Sequence, residues 1–405
     1  MNSHHVGPIK DFALGIYDGP HATPKEADEG PIFLGIKNVT PQGTLDFSEI
    51  RHVSDREYPR WTKRVVPREN DIVFSYKATL HRYALIPEGF RGCLGRRMAL
   101  VRPDPTKVYP RFLHYYFLTP SWRTVVEANI ISGATVDRVP LAKFPDFEVR
   151  LPVLDVQRRI ASILSAYDDL IENNRRRIQL LEQAARLLYK EWFVHLRFPG
   201  HEHVKVKDGV PDGWEKKKIA DICETVGGGT PSTKSSEYWY GDITWVVPSD
   251  ITKNDCLALF DSERKITEKG LRESSAKMVP TETILMTSRA SVGFFALMEY
   301  EVCTNQGFIN IIPHVDEMRM YLLFNLMSRV EEIRSNAKGT TYPEISKGRF
   351  RDMAVVIPTA MLVNEFSGFA SDIINQVRIL KKSTLKLERS RDLLLPRLMN
   401  GEVAV

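Results

Sequence analysis

The chain has 405 residues, 43% of them hydrophobic and 26% charged, which is typical of a soluble globular protein and long enough for two to four domains. Its net charge of +5 permits a polyanionic partner without requiring one. The four cysteines are too scattered for a metal site or a disulfide framework, and no run of residues is apolar enough for a signal peptide or a membrane span, so we expect a cytoplasmic protein with reduced thiols.

Residues 1–152 have the pattern of a strand-rich mixed domain. Short apolar runs alternate with turn residues, and a stretch with helical spacing, broken near Pro120, precedes a last short strand at 146–152. The strand candidates are PIFLGIKNV (31–39), DIVFSY (71–76), RYALIP (82–87) and RMALVRP (97–103).

A long helix is predicted at 153–196, because apolar residues recur in alternating steps of four and three. This 3.5-residue period places one narrow apolar seam along a helix of roughly 55–60 Å, and such a seam requires a partner helix. The seam comprises Ile160, Leu164, Tyr167, Ile171, Asn174, Ile178, Leu181 and Leu188.

A polar linker rich in Gly, Pro and Lys follows at 197–213, and residues 214–358 then repeat the first domain. CTNQGFINIIP (303–313) corresponds to CLGRRMALVRP (93–103), with Cys and Pro at the same spacing. The other features recur in the same order at an offset of about 206–213 residues. The sequence therefore predicts a second domain of the same fold.

A second long helix is predicted at 359–400, with its seam in the same register as the first. Its members are Phe366, Ile373, Val377, Leu380, Thr384, Leu387 and Leu394. An antiparallel pair requires the smaller detour of the chain, so we predict an α+β (mixed α/β) fold of two tandem domains joined by an antiparallel, pseudo-two-fold symmetric coiled coil. One register would place Asn174 opposite Thr384 and Tyr167 opposite Arg391.

Motifs for autonomous chemistry are absent from the sequence. There is no N-P-P-[YF] or D-P-P-Y motif for adenine methylation, no G-x-x-x-x-G-K-[ST] phosphate loop and no H-E-x-x-H metal motif. The only glycine cluster, GGGT (227–230), is best explained as a permissive turn. We therefore predict no catalytic residues and no metal site.

DNA reading needs cations for phosphates and planar hydrogen-bonding groups for base edges. Positions that are polar in both repeats were selected, although any one of them could instead be a solvated loop residue. Arg96, Arg97, Arg289, Asn305 and Gln306 are the best candidates for base contacts, and Lys77, Arg138 and Lys338 for phosphate contacts. The full set adds Lys37, Asn38, Tyr76, Thr135, Ser249, Ser288, Thr340 and Tyr342.

Several fragments, in this order, resemble the specificity (S) subunit of type I restriction-modification systems. In chain order they are LLYKEWF at the end of the first long helix, VPDGWEKKKIADICETVGGGTPS, ILMTSRASVGFF, CTNQGF, GTTYPEIS, and LLLPRLMNGE at the end of the second long helix. The first domain departs from the pattern, because it lacks the PDGW that opens the second.

The resemblance implies a non-catalytic DNA reader. Each domain would be a target-recognition domain for one half of a split, asymmetric double-stranded DNA target, and the coiled coil would fix the spacing. Two methyltransferase (modification) subunits and, through them, the restriction subunits would dock on the long helices. S-adenosylmethionine, ATP and Mg would bind those partners, and no cofactor would bind this chain.

Apolar surface at the helix ends exceeds what two helices can bury, which predicts docking of the modification subunits at Trp192, Phe193 and Leu398. Three alternatives remain open at this stage: a stand-alone bipartite DNA-binding regulator, a self-sufficient restriction or methylation enzyme, and a coiled-coil scaffold. The missing methylation motifs disfavour the enzyme, and a scaffold would leave two large repeated domains without a role.

Overall fold

The computed structural model describes residues 4–132, 136–339, 342–403 and 405. The chain divides into two compact units, each of which mixes strands and helices. The first unit comprises residues 1–170 and 386–405, and the second comprises residues 171–385. Each of the two long helices contributes residues to both units.

The first unit is built on a four-stranded antiparallel sheet. Its strands are β1 (His4–Pro8), β2 (Ala13–Asp18), β3 (Ala27–Leu34), β4 (Ile72–Ser75), β5 (Tyr83–Leu85), β6 (Gly92–Leu94), β7 (Met98–Pro103) and β8 (Glu148–Pro152). Its helices are α1 (Tyr58–Trp61), α2 (Pro110–Phe117), α3 (Pro120–Glu127) and the beginning of α4 (Leu154–Tyr189). The sheet has the order β2-β7-β4-β5, and two further pairs are β1 with β8 and β3 with β6.

The local sequence explains these elements. All four residues of β4 are buried, as expected for a continuous apolar run in a central strand. Pro110 and Pro120 each open a helix, where a missing N–H costs nothing, and the Thr119 hydroxyl caps α3 by accepting from the Trp122 amide at 3.2 Å. Trp122 is fully buried, and its ring stacks on Phe117 with centroids 4.7 Å apart. The predicted break near Pro120 therefore separates two short helices.

The second unit repeats this plan with extra short elements. Its strands are β9 (Val206–Lys207), β10 (Val210–Pro211), β11 (Glu215–Lys218), β12 (Cys223–Gly227), β13 (Trp239–Val246), β14 (Lys265–Ile266), β15 (Met278–Val279), β16 (Ile284–Thr287), β17 (Phe295–Ala296), β18 (Val302–Thr304), β19 (Phe308–Pro313) and β20 (Ala354–Ile357). Its helices are α5 (Pro248–Thr252), α6 (Glu268–Arg272), α7 (Arg319–Ser328), α8 (Val330–Ser335), α9 (Lys347–Arg351) and most of α10 (Ala360–Met399).

Strand order shows that the two units share one topology. The sheet order β12-β19-β16-β17 matches β2-β7-β4-β5 of the first unit. The parallel pair of β13 and β18 matches β3 and β6, and the antiparallel pair of β11 and β20 matches β1 and β8. The internal repeat inferred from the sequence is therefore present in the strand pairing.

The long helices bury their seams within each unit. In the second unit Tyr189 lies against Phe366, with ring centroids 5.6 Å apart, and the Asn174 amide donates to the Ser383 hydroxyl at 3.4 Å, so the two segments run in opposite directions there. In the first unit Arg391 donates to Asp168 at 2.7 Å. The buried seam members are Ile160, Leu164, Ile171, Asn174, Ile178, Phe366, Ile373, Val377, Leu380 and Thr384, and the half-buried ones are Tyr167, Leu181, Leu188, Leu387 and Leu394.

The observed contacts lie one residue away from each pair of the predicted register. The Asn174 amide donates to Ser383, the neighbour of Thr384, and Arg391 pairs with Asp168, the neighbour of Tyr167, so the two contacts lie on opposite sides of the predicted register. Thr384 is buried, and its hydroxyl donates to the Leu380 carbonyl of its own helix at 2.9 Å. A seam threonine that is satisfied locally needs no polar partner across the helix pair.

Two boundaries differ from the sequence-based expectation. The first long helix is regular only to Tyr189 and ends in a π-helical turn at Lys190–Val194. The segment 197–213, expected to be a plain linker, contains a helical turn and the β9–β10 hairpin, and Phe198 packs on Trp214 with ring centroids 5.3 Å apart. None of the helices in the described ranges combines the length and the apolar character that a membrane span requires.

The antiparallel helix segments of the second unit are close enough for a disulfide between two introduced cysteines. We expect Asn174→Cys with Ser383→Cys to crosslink under mild oxidation, because the native side-chain atoms are 3.4 Å apart. The reducible mobility shift of the full chain on electrophoresis measures it. As a control, Asn174→Cys with Ile379→Cys should stay open, because Ile379 is 67% exposed. Equal crosslinking of both pairs would contradict the pairing.

Candidate nucleic-acid interface

Three loop segments meet in the first unit where β4 ends and β7 begins. The Tyr76 amide donates to the Arg97 carbonyl at 3.1 Å, and the Val139 amide donates to the Tyr76 carbonyl at 2.8 Å. Lys77 also forms a backbone bridge with Arg138. These bonds bring together four residues that the sequence predicted for DNA contact: Tyr76, Lys77, Arg97 and Arg138.

The second unit repeats the same arrangement with different side chains. The Ser288 amide donates to the Gly307 carbonyl at 2.7 Å, and the Ile345 amide donates to the Ser288 carbonyl at 3.0 Å. Arg289 bridges Glu344, as Lys77 bridges Arg138. The predicted residues Arg289, Asn305, Gln306 and Lys338 therefore share one loop cluster, whereas the predicted Thr135 and Thr340 lie outside the described residues.

The turns that carry Lys37 and Ser249 border these clusters. The Gly95 amide donates to the Leu34 carbonyl at 2.8 Å, and the Asn305 amide donates to the Val246 carbonyl at 3.0 Å. Lys37 is exposed and pairs with Glu49 at 2.9 Å, and Ser249 is half-buried. A neighbouring turn of each unit thus extends the polar loop surface.

Two predicted contact residues, Asn38 and Ser288, have almost fully buried side chains, so we expect no direct DNA contact from either. Asn38 is 2% exposed, and its amide donates to the Asp46 and Glu49 carbonyls, so it holds its own loop together. Ser288 is 3% exposed. Sequence alone could not separate these polar side chains from their exposed neighbours, because burial depends on the loops that close over them.

Cations and an exposed aromatic ring remain accessible in the clusters. Arg96, Arg138, Gln306 and Lys338 are exposed, and Tyr342 is 67% exposed. Such side chains can donate to phosphates and base edges or stack on a base. The surface is suited to a polyanion that presents hydrogen-bond acceptors.

Three of the candidate base-contacting side chains, Asn305, Gln306 and Arg289, already use some of their polar atoms in contacts within the chain. The Asn305 side-chain oxygen accepts from the Gly307 amide at 2.8 Å, and the Gln306 oxygen accepts from the Thr230 hydroxyl, so each amide offers its NH₂ group. Arg289 pairs with Glu344 at 3.7 Å with both side chains about half exposed, an ion pair weak enough to exchange for a phosphate.

Arg97 is strained and has a buried donor. Its backbone is left-handed, with φ of 73°, and no hydrogen-bond partner among the described residues reaches its buried Nε. The adjacent Tyr76 is 7% exposed, and burial followed by the charge of Asp18 raises the pKa of its hydroxyl. Arg97 and Tyr76 therefore form the base of the cluster, and Arg96 lies on its rim.

Sequence reasoning missed a further loop that lies against each cluster. The Gly19 amide donates to the Met98 carbonyl at 2.8 Å, and the Gly229 amide donates to the Thr304 carbonyl at 2.9 Å. Gly229 is also held by the Trp245 indole, which donates to its carbonyl at 2.9 Å. The glycine cluster GGGT marked this loop in the sequence, but the turn it predicted has a specific packing role.

Thiol chemistry has no place in these clusters. Cys93 and Cys303, which mark the repeat, lie in the buried strands β6 and β18. Burial raises the pKa of both thiols to about 12, so they stay protonated. They serve as small apolar side chains beneath the loops.

The family model for the type I restriction modification DNA specificity domain matches residues 37–183 and again residues 211–389, which together make up most of the chain. The chain belongs to this family. Its duplicated match agrees with the repeated topology, and each matched region contains one of the two loop clusters.

Individual members of the specificity-domain family are similar over different lengths. The MjaIX specificity subunit of Methanocaldococcus jannaschii is 37% identical over 187 residues, an alignment that spans 44% of this chain and less than half, 43%, of that protein. The HindI specificity subunit of Haemophilus influenzae is 22% identical over 88% of this chain and 90% of its own.

A solved structure shows that the fold is shared. The S subunit of a type I restriction-modification system from M. genitalium aligns with a TM-score of 0.59 at 17% identity, covering 98% of this chain and 96% of that chain. At this identity the likeness concerns the fold alone. A mixed helix and strand architecture with two domains is therefore established for this specificity-domain protein.

The residues predicted for partner docking are less accessible than expected. Leu398 is 2% exposed within the core of the first unit, so its assignment to docking is wrong. Trp192 and Phe193 are half-buried and pack on Phe366, with ring centroids 6.3 and 5.2 Å away. Residues of the chain's own domains therefore cover part of the apolar helix ends. The prediction considered only two isolated helices and did not include this covering.

The glycine loop of the second unit leads to a stability prediction. A Cβ on Gly228 would lie closer than 3.0 Å to the backbone oxygens of Thr304 and Asn305, so Gly228→Ala must displace the 304–307 turn. We expect a loss of about 1–3 kcal/mol in the free energy of unfolding, measured by denaturant titration.

Gly368→Ala is the matched control for this substitution. Gly368 lies within α10 and has open space around its Cβ position, so alanine there should stabilise the chain by about 0.5–1 kcal/mol. Wild-type stability of Gly228→Ala would show that the turn tolerates displacement.

Proposed function

We propose that this chain is the DNA sequence-specificity subunit of a type I restriction-modification complex and that each unit recognises one half of a split, asymmetric target. The observation that carries the proposal is one loop scaffold built twice with different side chains. Arg96 and Arg97 in the first unit correspond to Gln306 and Gly307 in the second. Identical scaffolds with different donors suit two different short sequences.

Spacing between the half-sites is assigned to the long helices. We propose that α4 and α10 pair as one antiparallel coiled coil with pseudo-two-fold symmetry. The contacts of Asn174 with Ser383 in one unit, and of Asp168 with Arg391 in the other, support this pairing. A helical spacer has a fixed rise per residue, so its length would define the unspecified gap in the target.

Partner docking is assigned to exposed apolar positions of the same helices. Leu170, Leu180 and Leu187 on α4 are each more than half exposed, and so are Met361, Ile379 and Leu393 on α10. Exposed apolar side chains on the outer face of a helix are the kind of surface that a partner helix can cover. We propose that two modification subunits dock there and recruit the restriction subunits.

Chemistry in this proposal belongs to the partner subunits. S-adenosylmethionine, ATP and Mg would bind them, while this chain binds DNA without catalysing a reaction. The second candidate is a stand-alone bipartite DNA-binding regulator, for which the same loop clusters would suffice. The exposed apolar side chains of the long helices support the complex, because they offer surface on which a partner subunit can pack.

Co-expression with the modification (methyltransferase) subunit of a type I system tests the proposal. The expected results are a complex that co-purifies and new methylated adenines in host DNA, mapped by sequencing, that fall within two short sequence halves separated by a fixed gap. A free chain that binds DNA without any new methylation would favour the stand-alone regulator.

If each unit recognises its own half of the target, a substitution in one unit should change the recognition of one half only. In the co-expression assay Gln306→Ala or Arg289→Ala should relax the base preference at one position of one half by about 1–3 kcal/mol, the usual worth of a good base contact. Lys217→Ala is the control, because Lys217 lies on β11, which pairs with β20 rather than with the loop cluster. An equal loss at both halves would contradict the modular reading.

A further inference from the structure

An arginine outside the predicted set is held at the edge of the first loop cluster. Arg64 follows the short helix α1, and its Nη1 donates to Asp18 Oδ1 at 2.5 Å and to the Gly19 carbonyl at 3.3 Å. Asp18 ends β2, 46 residues earlier in the chain. The contact therefore fixes one end of the guanidinium to the sheet.

Asp18 is itself oriented by a chain of polar side chains. Its second oxygen, Oδ2, lies 3.1 Å from His21 Nε2, and the opposite ring nitrogen of His21 lies 3.2 Å from the Tyr76 hydroxyl. The carboxylate that positions Arg64 is thus held from both sides. Partners of this kind restrict the rotation of the Arg64 side chain before DNA binds. Less conformational entropy is then lost on binding.

The position of Arg64 places it at the candidate interface. A Cβ on Gly19 would lie within 3.0 Å of Leu94 and the Gly95 carbonyl, so the Asp18–Gly19 corner abuts the turn that carries Arg96. The charges of Arg64, Arg96 and Arg97 all act on the Tyr76 hydroxyl and oppose the rise in its pKa that burial and Asp18 cause. Arg64 therefore belongs to the same cationic cluster.

One edge of the guanidinium is available to a ligand. The side chain is 49% exposed, and its hydrogen bonds to the described residues all use Nη1. The edge formed by Nε and Nη2 carries two parallel donors in the fork geometry that matches O6 and N7 of guanine. An arginine whose other edge is fixed by a carboxylate presents that fork in a defined direction.

We infer that Arg64, positioned by Asp18, is a guanine-reading residue of the first recognition unit. The inference rests on the proposed function and adds one base identity to it. His21 and Tyr76 act through Asp18 as positioning residues.

The second unit carries a different group at the matching position. Lys277 precedes the Val-Pro pair that corresponds to the one following Arg64, and it is exposed. Ser275, two residues before Lys277, abuts Gly229, as Arg64 abuts Gly19. A lysine is a point charge suited to phosphate rather than to bidentate base contact. The guanine preference is therefore expected in one half of the target only.

The test uses the full chain with its modification subunit and compares methylated-adenine maps of wild type, Arg64→Lys, Arg64→Ala and Asp18→Asn. Arg64→Lys keeps the charge but not the fork, so the preference for guanine at one position of one half should fall about tenfold or more. Asp18→Asn should relax the same position while the other half stays unchanged.

Arg91→Ala is the matched control, because Arg91 also pairs with an aspartate, Asp55. Arg91 precedes strand β6, whereas the turn that carries Arg96 follows β6, so Arg91 lies at the other end of that strand. It should leave the motif unchanged. An unaltered motif in Arg64→Lys and Arg64→Ala would overturn this inference alone. Absence of any split motif with the wild-type chain would overturn the proposed function itself.

Relaxation of both halves by Asp18→Asn would also overturn the inference, because it would point to a folding defect. Thermal unfolding of each variant, followed by circular dichroism, separates that defect from a loss of reading.

Discussion

Neither long helix can bury its apolar seam by itself, and this constraint governs the rest of the chain. In the first unit Ile160 and Leu164 of α4 share a core with Leu398 from the end of α10. In the second unit Ile178 shares a core with Phe366 and Val377. Each unit is therefore complete only when the C-terminal helix has returned to it, and the two units depend on the same pair of helices.

Buried polar groups give this packing its register. Glu182 of α4 is 5% exposed, yet it accepts from the Leu257 amide at 2.6 Å and pairs with Arg186 at 2.9 Å. Burial raises the pKa of its carboxyl, so the bonds offset a real desolvation cost. A helix shifted by one turn would keep the pair with Arg186 but lose the bond from the Leu257 amide, and a buried polar group that loses its hydrogen-bond partner is unfavourable in a core. The helix is thus fixed to the body of the second unit.

The two loop clusters can differ in side chains on such a scaffold because backbone hydrogen bonds hold their loops. The bonds of Tyr76 to Arg97 and of Ser288 to Gly307 involve main-chain atoms, so the side chains on the same turns are free to differ. One cluster is rich in arginine, and the other presents amides and one ion-paired arginine. The proposed recognition of two different half-sites needs this separation between the scaffold and the side chains that it presents.

The sequence by itself determined the long-range organisation: the 3.5-residue period of both helices, the duplicated domain, and the loops that carry polar residues in both repeats. These features are visible because periodicity and internal similarity are properties of the chain alone. The family resemblance rests on short fragments such as ILMTSRASVGFF and CTNQGF, and the match to the family model confirmed it.

Only the tertiary structure decided which side chains face solvent. Ser288 and Leu398 are buried by segments distant in sequence, and Asn38 is buried as its own loop closes, which no local pattern reveals. Asp18 and Arg64 form an ion pair although they are 46 residues apart in the chain. Arg64 and its counterpart Lys277 are both polar, and this is the only sign of the position that the sequence contains. Burial and side-chain pairing depend on how strands and loops close in space, and the linear order of residues does not contain that information in readable form.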